Sequence, residues 1–176
     1  SSESRGLGDV YKRQFLILSM NYITHQLLNP KEIELINDVM NQSELPWEDG
    51  KKTAGNHAAK EKNNKQLDRE SLISKKYAGL IEKKILNNIL IKSFALPKRI
   101  HGTMFSKSTK GMKYGRHIDN AFMSSGRSDL SFTMFLSEKD KYTGGALSIE
   151  SINSEETFKL NSGEIIIYPS TYLHSV

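Results

Sequence analysis

The sequence predicts an α+β domain, mainly β, with N-terminal helices packed on one sheet of a double-sheet jelly roll or sandwich. Three observations carry this. Two stretches of helical apolar periodicity lie ahead of Pro97, short strand-like runs parted by turn residues fill the chain from Arg99 onward, and no internal repeat interrupts that order. With 176 residues the chain suffices for one domain with a real core and is short for two. Seven Phe, seven Tyr and one Trp are spread along it, which excludes a disordered polar chain. The absence of Cys excludes disulfides, thiolate zinc sites and a Cys nucleophile, so packing must supply the stability.

Ser1 to Gln14 show neither helical nor strand periodicity and read as a non-native leader outside the fold. Lys12-Arg13 ahead of Phe15-Leu16-Ile17-Leu18 imitates a signal peptide, but the apolar run is too short. No stretch approaches the roughly 18 apolar residues of a membrane span, so the protein reads as cytoplasmic. Residues 15–97 then form the helical N-terminal part of the domain. Asn29-Pro30-Lys31-Glu32 is a helix start, with Asn as N-cap, Pro at the first helical position and an acid in the first turn. Ile33, Ile36, Val39 and Met40 continue it, predicting a helix over 30–41. Residues 42–70 are polar and read as irregular. A second helix is expected over 71–91, where Ile73, Tyr77, Leu80, Ile81, Ile85 and Ile89 share a stripe.

Residues 98–176 make the jelly-roll core, with strands expected at 99–106, 112–119, 129–137, 145–151, 156–160, 164–168 and 171–176. Gly111, Gly144-Gly145 and Asn161-Ser162-Gly163 are among the turns between them. The formal charge of +5 would suit an acidic partner, but all of it sits in residues 51–76. There eight Lys and Arg face only Glu61, Asp68 and Glu70, and a solvated loop and helix face accounts for them.

The chemistry concentrates in Gly115-Arg116-His117-Ile118-Asp119-Asn120. On a strand, His117 and Asp119 point the same way and Ile118 points into the opposite layer. An imidazole and a carboxylate so placed can share a metal ion. His174, in the last expected strand, can add a third ligand, giving the facial triad of non-haem Fe(II) oxygenases. His25, His57 and His101 have no carboxylate at ligand spacing and read as structural or surface residues. Trp47 and Tyr172 read as core or cover, and Arg127 as a partner for Asp129.

Several short motifs occur in a fixed order: Thr53-Ala54-Gly55, Lys62-Asn63-Asn64-Lys65-Gln66-Leu67, Ala95-Leu96-Pro97 and Tyr114-Gly115-Arg116-His117-Ile118-Asp119-Asn120-Ala121. Asp129-Leu130-Ser131, Phe135-Leu136-Ser137, Tyr142-Thr143-Gly144-Gly145, Gly163-Glu164 and Tyr168-Pro169-Ser170-Thr171-Tyr172-Leu173-His174 follow. Through these motifs, from residue 20 to 176, the chain resembles the bacterial PKHD-type hydroxylases. These are a branch of the prolyl-4-hydroxylase-like Fe(II)- and 2-oxoglutarate-dependent dioxygenases. The resemblance implies a double-stranded β-helix with Fe(II) held by His117, Asp119 and His174, and 2-oxoglutarate and O₂ as cosubstrates. It also implies ascorbate as reductant, and oxidative decarboxylation of 2-oxoglutarate to succinate coupled to hydroxylation. Asn63, Asn64, Gln66 and Asn120 are candidates to line the site. The expected substrate is a small molecule or peptide, with a siderophore-related or iron-regulated setting implied.

Two departures from the family pattern stand out. A basic residue, usually Arg, that pairs with the distal carboxylate of 2-oxoglutarate about ten positions past the second metal His is expected beyond Val176. A truncated chain is therefore expected to turn over poorly. A Tyr often found ahead of the first metal His is Ser108 here. Two alternatives stay open: a nucleic-acid-directed dioxygenase of the same superfamily, and a non-catalytic jelly-roll binding module. No aromatic residues interleave the basic segment to stack a base, which counts against nucleic acid.

Overall fold

In a computed structural model, residues 21–55, 58–123, 126–152 and 154–176 are described. The leader assigned to Ser1–Gln14, and His57, lie outside them. The elements in order are β1 (Ile23–Gln26), α1 (Pro30–Met40), β2 (Trp47–Asp49), α2 (Ala58–Glu61), β3 (Lys62–Asn63), β4 (Lys65–Leu67), α3 (Leu72–Asn87) and α4 (Ile89–Ala95). There follow β5 (Ser106–Lys107), β6 (Lys113–Tyr114), β7 (Phe122–Met123), β8 (Gly126–Arg127), β9 (Leu130–Met134), β10 (Leu147–Glu150), β11 (Glu155–Phe158), β12 (Glu164–Pro169) and β13 (Leu173–Ser175). The protein thus mixes helix and strand.

The first helix forms as its sequence dictates. Asn29 accepts from the Glu32 N–H while the Glu32 carboxylate accepts from the Asn29 N–H, a complete capping box with Pro30 in the first turn. Ile36 and Met40 face inward. The second expected helix is two. Asn88 leaves helical geometry at ψ 122° and caps α4 by accepting from the Ile91 N–H, so the apolar stripe continues across a break that periodicity alone conceals.

Antiparallel strands β1, β12 and β9 form one sheet, in that spatial order. Its centre, β12, is buried on both faces. Ile165 and Ile167 point to a core shared with Ile36 and Met40 of α1 and Tyr77, Ile81 and Ile85 of α3. Ile166 and Tyr168 point the other way, toward Phe135, Leu147 and Ile149. The helices therefore cover one face, as expected, and a second sheet of β11, β10 and β13 contributes to the other. Gly163 makes the turn into β12 at φ +81°, and a Cβ there would come within 2.8 Å of the Leu28 carbonyl oxygen.

Three more expectations need correction. Residues 42–70 are not irregular: β4 lies between β2 and β5, and β3 pairs with β6. Burial there alternates with strand period, Lys62, Asn64 and Gln66 in, Asn63 and Lys65 out, but the buried residues are polar and give no hydrophobic signal. The strand expected over 99–106 is limited to β5 at its end. That over 112–119 is β6 plus a single bridge at His117, so Ile118 does not enter an opposite layer and is 59% exposed.

Candidate metal centre

The backbone places the two imidazoles before any side chain acts. Tyr114 and Val176 exchange both main-chain hydrogen bonds at 2.8 Å, and His117 and His174, three residues after the first and two before the second, do the same at 3.0 and 2.9 Å. Asp119 is held by its N–H donating to the Ser170 carbonyl at 3.2 Å. Each imidazole is then oriented by the same device. His117 Nδ1–H donates to the Gly115 carbonyl at 2.8 Å, and His174 Nδ1–H donates to the Tyr172 carbonyl at 3.0 Å. A carbonyl only accepts, so both rings carry a proton on Nδ1, and Nε2 is the nitrogen each turns toward the cluster.

Those two Nε2 atoms converge on one carboxylate. His117 Nε2 is 3.9 Å from Asp119 Oδ1, and His174 Nε2 is 3.7 Å from Asp119 Oδ2. Both gaps are too long for hydrogen bonds. They match the roughly 3–4 Å separations of ligands that lie about 2.1 Å from a common ion. One donor atom from each of the three residues lies within 4.8 Å of the others. Both histidine side chains are 6% exposed, whereas Asp119 is 41% exposed, so the cluster opens to solvent on the carboxylate side. Ser131 Oγ donates to Asp119 Oδ2 at 2.5 Å, steering the carboxylate from β9.

Aromatic rings brace the cluster. The Tyr114 ring stacks on His117 at 3.5 Å between centroids, and the Tyr168 ring meets His174 edge-on at 5.2 Å. Burial, aided by the Asp119 charge, pushes the Tyr114 phenol up to about 12, and burial likewise pushes Tyr168 up, so both stay neutral. Burial lowers the His117 pKa, helped by the nearby His174 and Lys62, against the Gly115 hydrogen bond and Asp119. The ring is held in the neutral form that a metal needs. The donor set thus fits a divalent ion of intermediate hardness such as iron: two imidazole nitrogens, one carboxylate, and an open side.

The other expected site residues are distributed differently. Asn63 is exposed on β3. Asn64 is buried, its carbonyl accepting from the Gly50 N–H at 2.9 Å, and a Cβ on residue 50 would collide with Asn64 Oδ1. Gln66 meets Thr53 Oγ1 and donates to Ser106 Oγ at 3.2 Å. Asn120, next to Asp119, has its Oδ1 accepting from the Phe122 N–H at 3.1 Å. Arg127 pairs with Asp129 at 2.7 Å. His25 Nε2 lies 2.9 Å from the helix-breaking Asn88, a structural role as expected. Trp47 and Tyr172 pack against the two core clusters. Sequence reasoning did not find Ser131 or Tyr114 as supports, nor that Lys62 is buried, with its ammonium 4.6 Å from the Tyr114 ring centroid.

The fold and this donor set define a class, and comparison with known proteins agrees. Residues 103–176 match the family model of the 2OG-Fe(II) oxygenase superfamily. Two solved structures share the fold. One is a Pseudomonas putida prolyl-4-hydroxylase, with TM-score 0.59 and 15% identity over 91% of this chain and 87% of that one. The other, a Trichoplax adhaerens prolyl hydroxylase in complex with a hypoxia inducible factor peptide fragment, has TM-score 0.60 and 14% identity over 99% and 87%. Closer in sequence, a PKHD-type hydroxylase of Prochlorococcus marinus strain MIT 9215 is 76% identical over 157 residues, 89% of this chain and 71% of that protein. Another, from strain AS9601, is 69% identical over 158 residues with the same coverage. The chain belongs to the PKHD-type hydroxylases. It is a 2-oxoglutarate-dependent dioxygenase that uses Fe(II) and O₂. Among the described residues no helix is long and apolar enough to cross a membrane.

Proposed function

We propose that His117, Asp119 and His174 are the iron ligands of this dioxygenase. The observation that carries the reading is the paired orientation of the imidazoles: both Nδ1–H groups are taken by carbonyls two residues upstream, so both Nε2 atoms face one carboxylate. When bound, Fe(II) with 2-oxoglutarate and O₂ supplies the oxidative decarboxylation to succinate and CO₂ that drives hydroxylation of a C–H bond. The chain's own residues hold and aim. The reciprocal backbone bonds fix the two imidazoles, Ser131 fixes the Asp119 carboxylate, and the Tyr114 and Tyr168 rings limit water at the histidines.

We take the two sheets as halves of a jelly roll over 98–176, with 15–97 as its helical N-terminal part. Burial of β12 between the helices and the second sheet supports one continuous domain. The Trichoplax neighbour holds a peptide, and the open side of the cluster suits a peptide or small molecule here. Ascorbate is the reductant that keeps such iron ferrous.

The test is anaerobic Fe(II) titration followed by 2-oxoglutarate-dependent succinate formation. His117→Ala and Asp119→Ala should lower Fe(II) affinity by at least about 100-fold, with far-UV circular dichroism unchanged. Wild-type Fe(II) affinity in either variant would remove the assignment.

A further inference from the structure

Charge is segregated more sharply in the fold than along the sequence. Residues 98–116 carry six Lys and Arg and no Asp or Glu, adding +6 to the +5 of residues 51–76, so the remaining residues sum to −6. The structure brings the two basic stretches together. Lys65 of β4 lies directly opposite Lys107 of β5, and Asn63 of β3 lies opposite Lys113 of β6. Lys110 is in the connection between β5 and β6. Lys62, Asn64 and Gln66 point inward, so Asn63 and Lys65 mark the outer face. Lys65, Lys107, Lys110 and Lys113 are all exposed.

These four lysines differ from other surface cations. Lys52, Lys75, Lys84, Arg116 and Arg127 each pair with a carboxylate, whereas among the described residues none of the four does. Asp49, opposite Lys65 on β2, shares the row and offsets one of its charges. Like charges directly opposite one another on a sheet destabilise it. The Lys65–Lys107 opposition is therefore a cost in the free protein that an anionic partner relieves.

The occupant follows from what the face has and lacks. All four cations are lysines, compact charges without the planar fork of Arg that suits phosphate. Trp47 is half-buried and already faced by Lys107, 5.6 Å from its ring centroid, so its ring is not free to stack a base. Among the described residues no exposed large apolar side chain lies on β2 to β6 to enter a lipid surface. Outward positions recur about every 7 Å along a strand, the interval at which an extended polypeptide presents alternate side chains.

We propose that Lys65, Lys107, Lys110 and Lys113, on the outer face of β3 to β6, dock an acidic, extended segment of a polypeptide partner. Lys113 is next to Tyr114, whose ring stacks on His117, so the docking face borders the metal cluster.

The experiment reads the fluorescence anisotropy of a labelled dodecapeptide of alternating Asp and Ser against the whole chain. It needs neither iron nor turnover, so its outcome is independent of the metal assignment. Wild type binds this probe and not its Asn–Ser counterpart, and affinity falls about tenfold as salt rises from about 50 to about 200 mM. Lys65→Gln, Lys107→Gln, Lys110→Gln and Lys113→Gln combined weaken the probe about tenfold or more at the lower salt. The same change at Lys31, Lys83, Lys92 and Lys141, exposed cations on α1, α3, α4 and ahead of β10, alters affinity less than about threefold. The first variant melts no lower than wild type, because it removes the Lys65–Lys107 opposition. Absence of probe binding overturns the proposal, as does equal weakening by the two sets of substitutions, which reduces the effect to net charge. Tighter binding of an oligothymidylate of equal charge, or of equimolar phosphatidylserine–phosphatidylcholine vesicles, reassigns the face to nucleic acid or lipid and overturns it too. So does affinity lost only together with a lowered midpoint, the mark of structural lysines.

Discussion

Two antiparallel pairings in this molecule are buried by opposite means. Where β1 and β9 flank β12, the strand carries Ile165, Ile166 and Ile167 into apolar cores on both faces. Where His117 meets His174, the buried side chains are imidazoles, flanked by tyrosine rings and a lysine. The first pairing is stabilised by area removed from water. The second is held by reciprocal main-chain hydrogen bonds and by carbonyls that fix each ring, and its side chains remain available for chemistry. The apolar and the polar burial meet at Tyr168, which packs with Leu147 and Ile149 and also touches His174.

The largest expected effect tests the apolar side of that division. Ile165→Ala, at a position with 0% exposure, should cost about 3 kcal/mol, seen as a lowered urea midpoint at constant slope. Fe(II) affinity of the folded fraction should not change. Alanine at His117 or Asp119 should give the reverse pattern. A drop in metal affinity for Ile165→Ala comparable to its loss of stability would show that the two regions are not separable.

A smaller effect probes the polar side. Ser131 reaches Asp119 from β9, the same strand that pairs with β12, so it links the two regions directly. Ser131→Ala should weaken Fe(II) binding by about 10-fold, the usual consequence of losing a hydrogen bond that orients a ligand. Fe(II) titration measures it, and the thermal midpoint should hold. Unchanged affinity would mean that the backbone alone positions Asp119.

The same division explains what could be read from the sequence. Apolar burial leaves a period: α1, the stripe on α3 and the β12 run were legible because Ile36, Ile81 and Ile165 are buried and hydrophobic. The His117-x-Asp119 spacing was legible because residues able to share an ion obey a chemical rule independent of packing, and the last expected strand added His174, which the structure brings to the same cluster. Polar burial leaves no such trace. Lys62, Asn64 and Gln66 alternate inward like any strand, yet their composition reads as loop, so β3, β4 and the burial of the lysine were hidden. Asn88 was hidden for the opposite reason, since isoleucines on both sides of it continue the helical stripe through a cap.

The smallest effect asks whether polar contacts on the helical side matter as little as the comparison requires. Lys84 of α3 pairs with Glu32 of α1 at 2.7 Å, with both side chains partly exposed. Burial pushes the Glu32 carboxyl up, but Lys84 and the Asn29 N–H outweigh it and hold it below its ordinary value. A depressed carboxyl pKa contributes stability that is complete above the unfolded value and is lost as pH falls through the folded one. Glu32→Gln keeps an acceptor for the capping box and removes the charge, so it should cost about 0.5 kcal/mol at neutral pH. Once pH has fallen through the folded value the wild-type carboxylate is protonated, and the two proteins should unfold at closely similar urea concentrations. Added salt should narrow the gap at neutral pH as well. A difference that persists in acid would assign the effect to helix capping and not to the ion pair. A difference well above 1 kcal/mol would mean that the helical side relies on charge more than its apolar core implies.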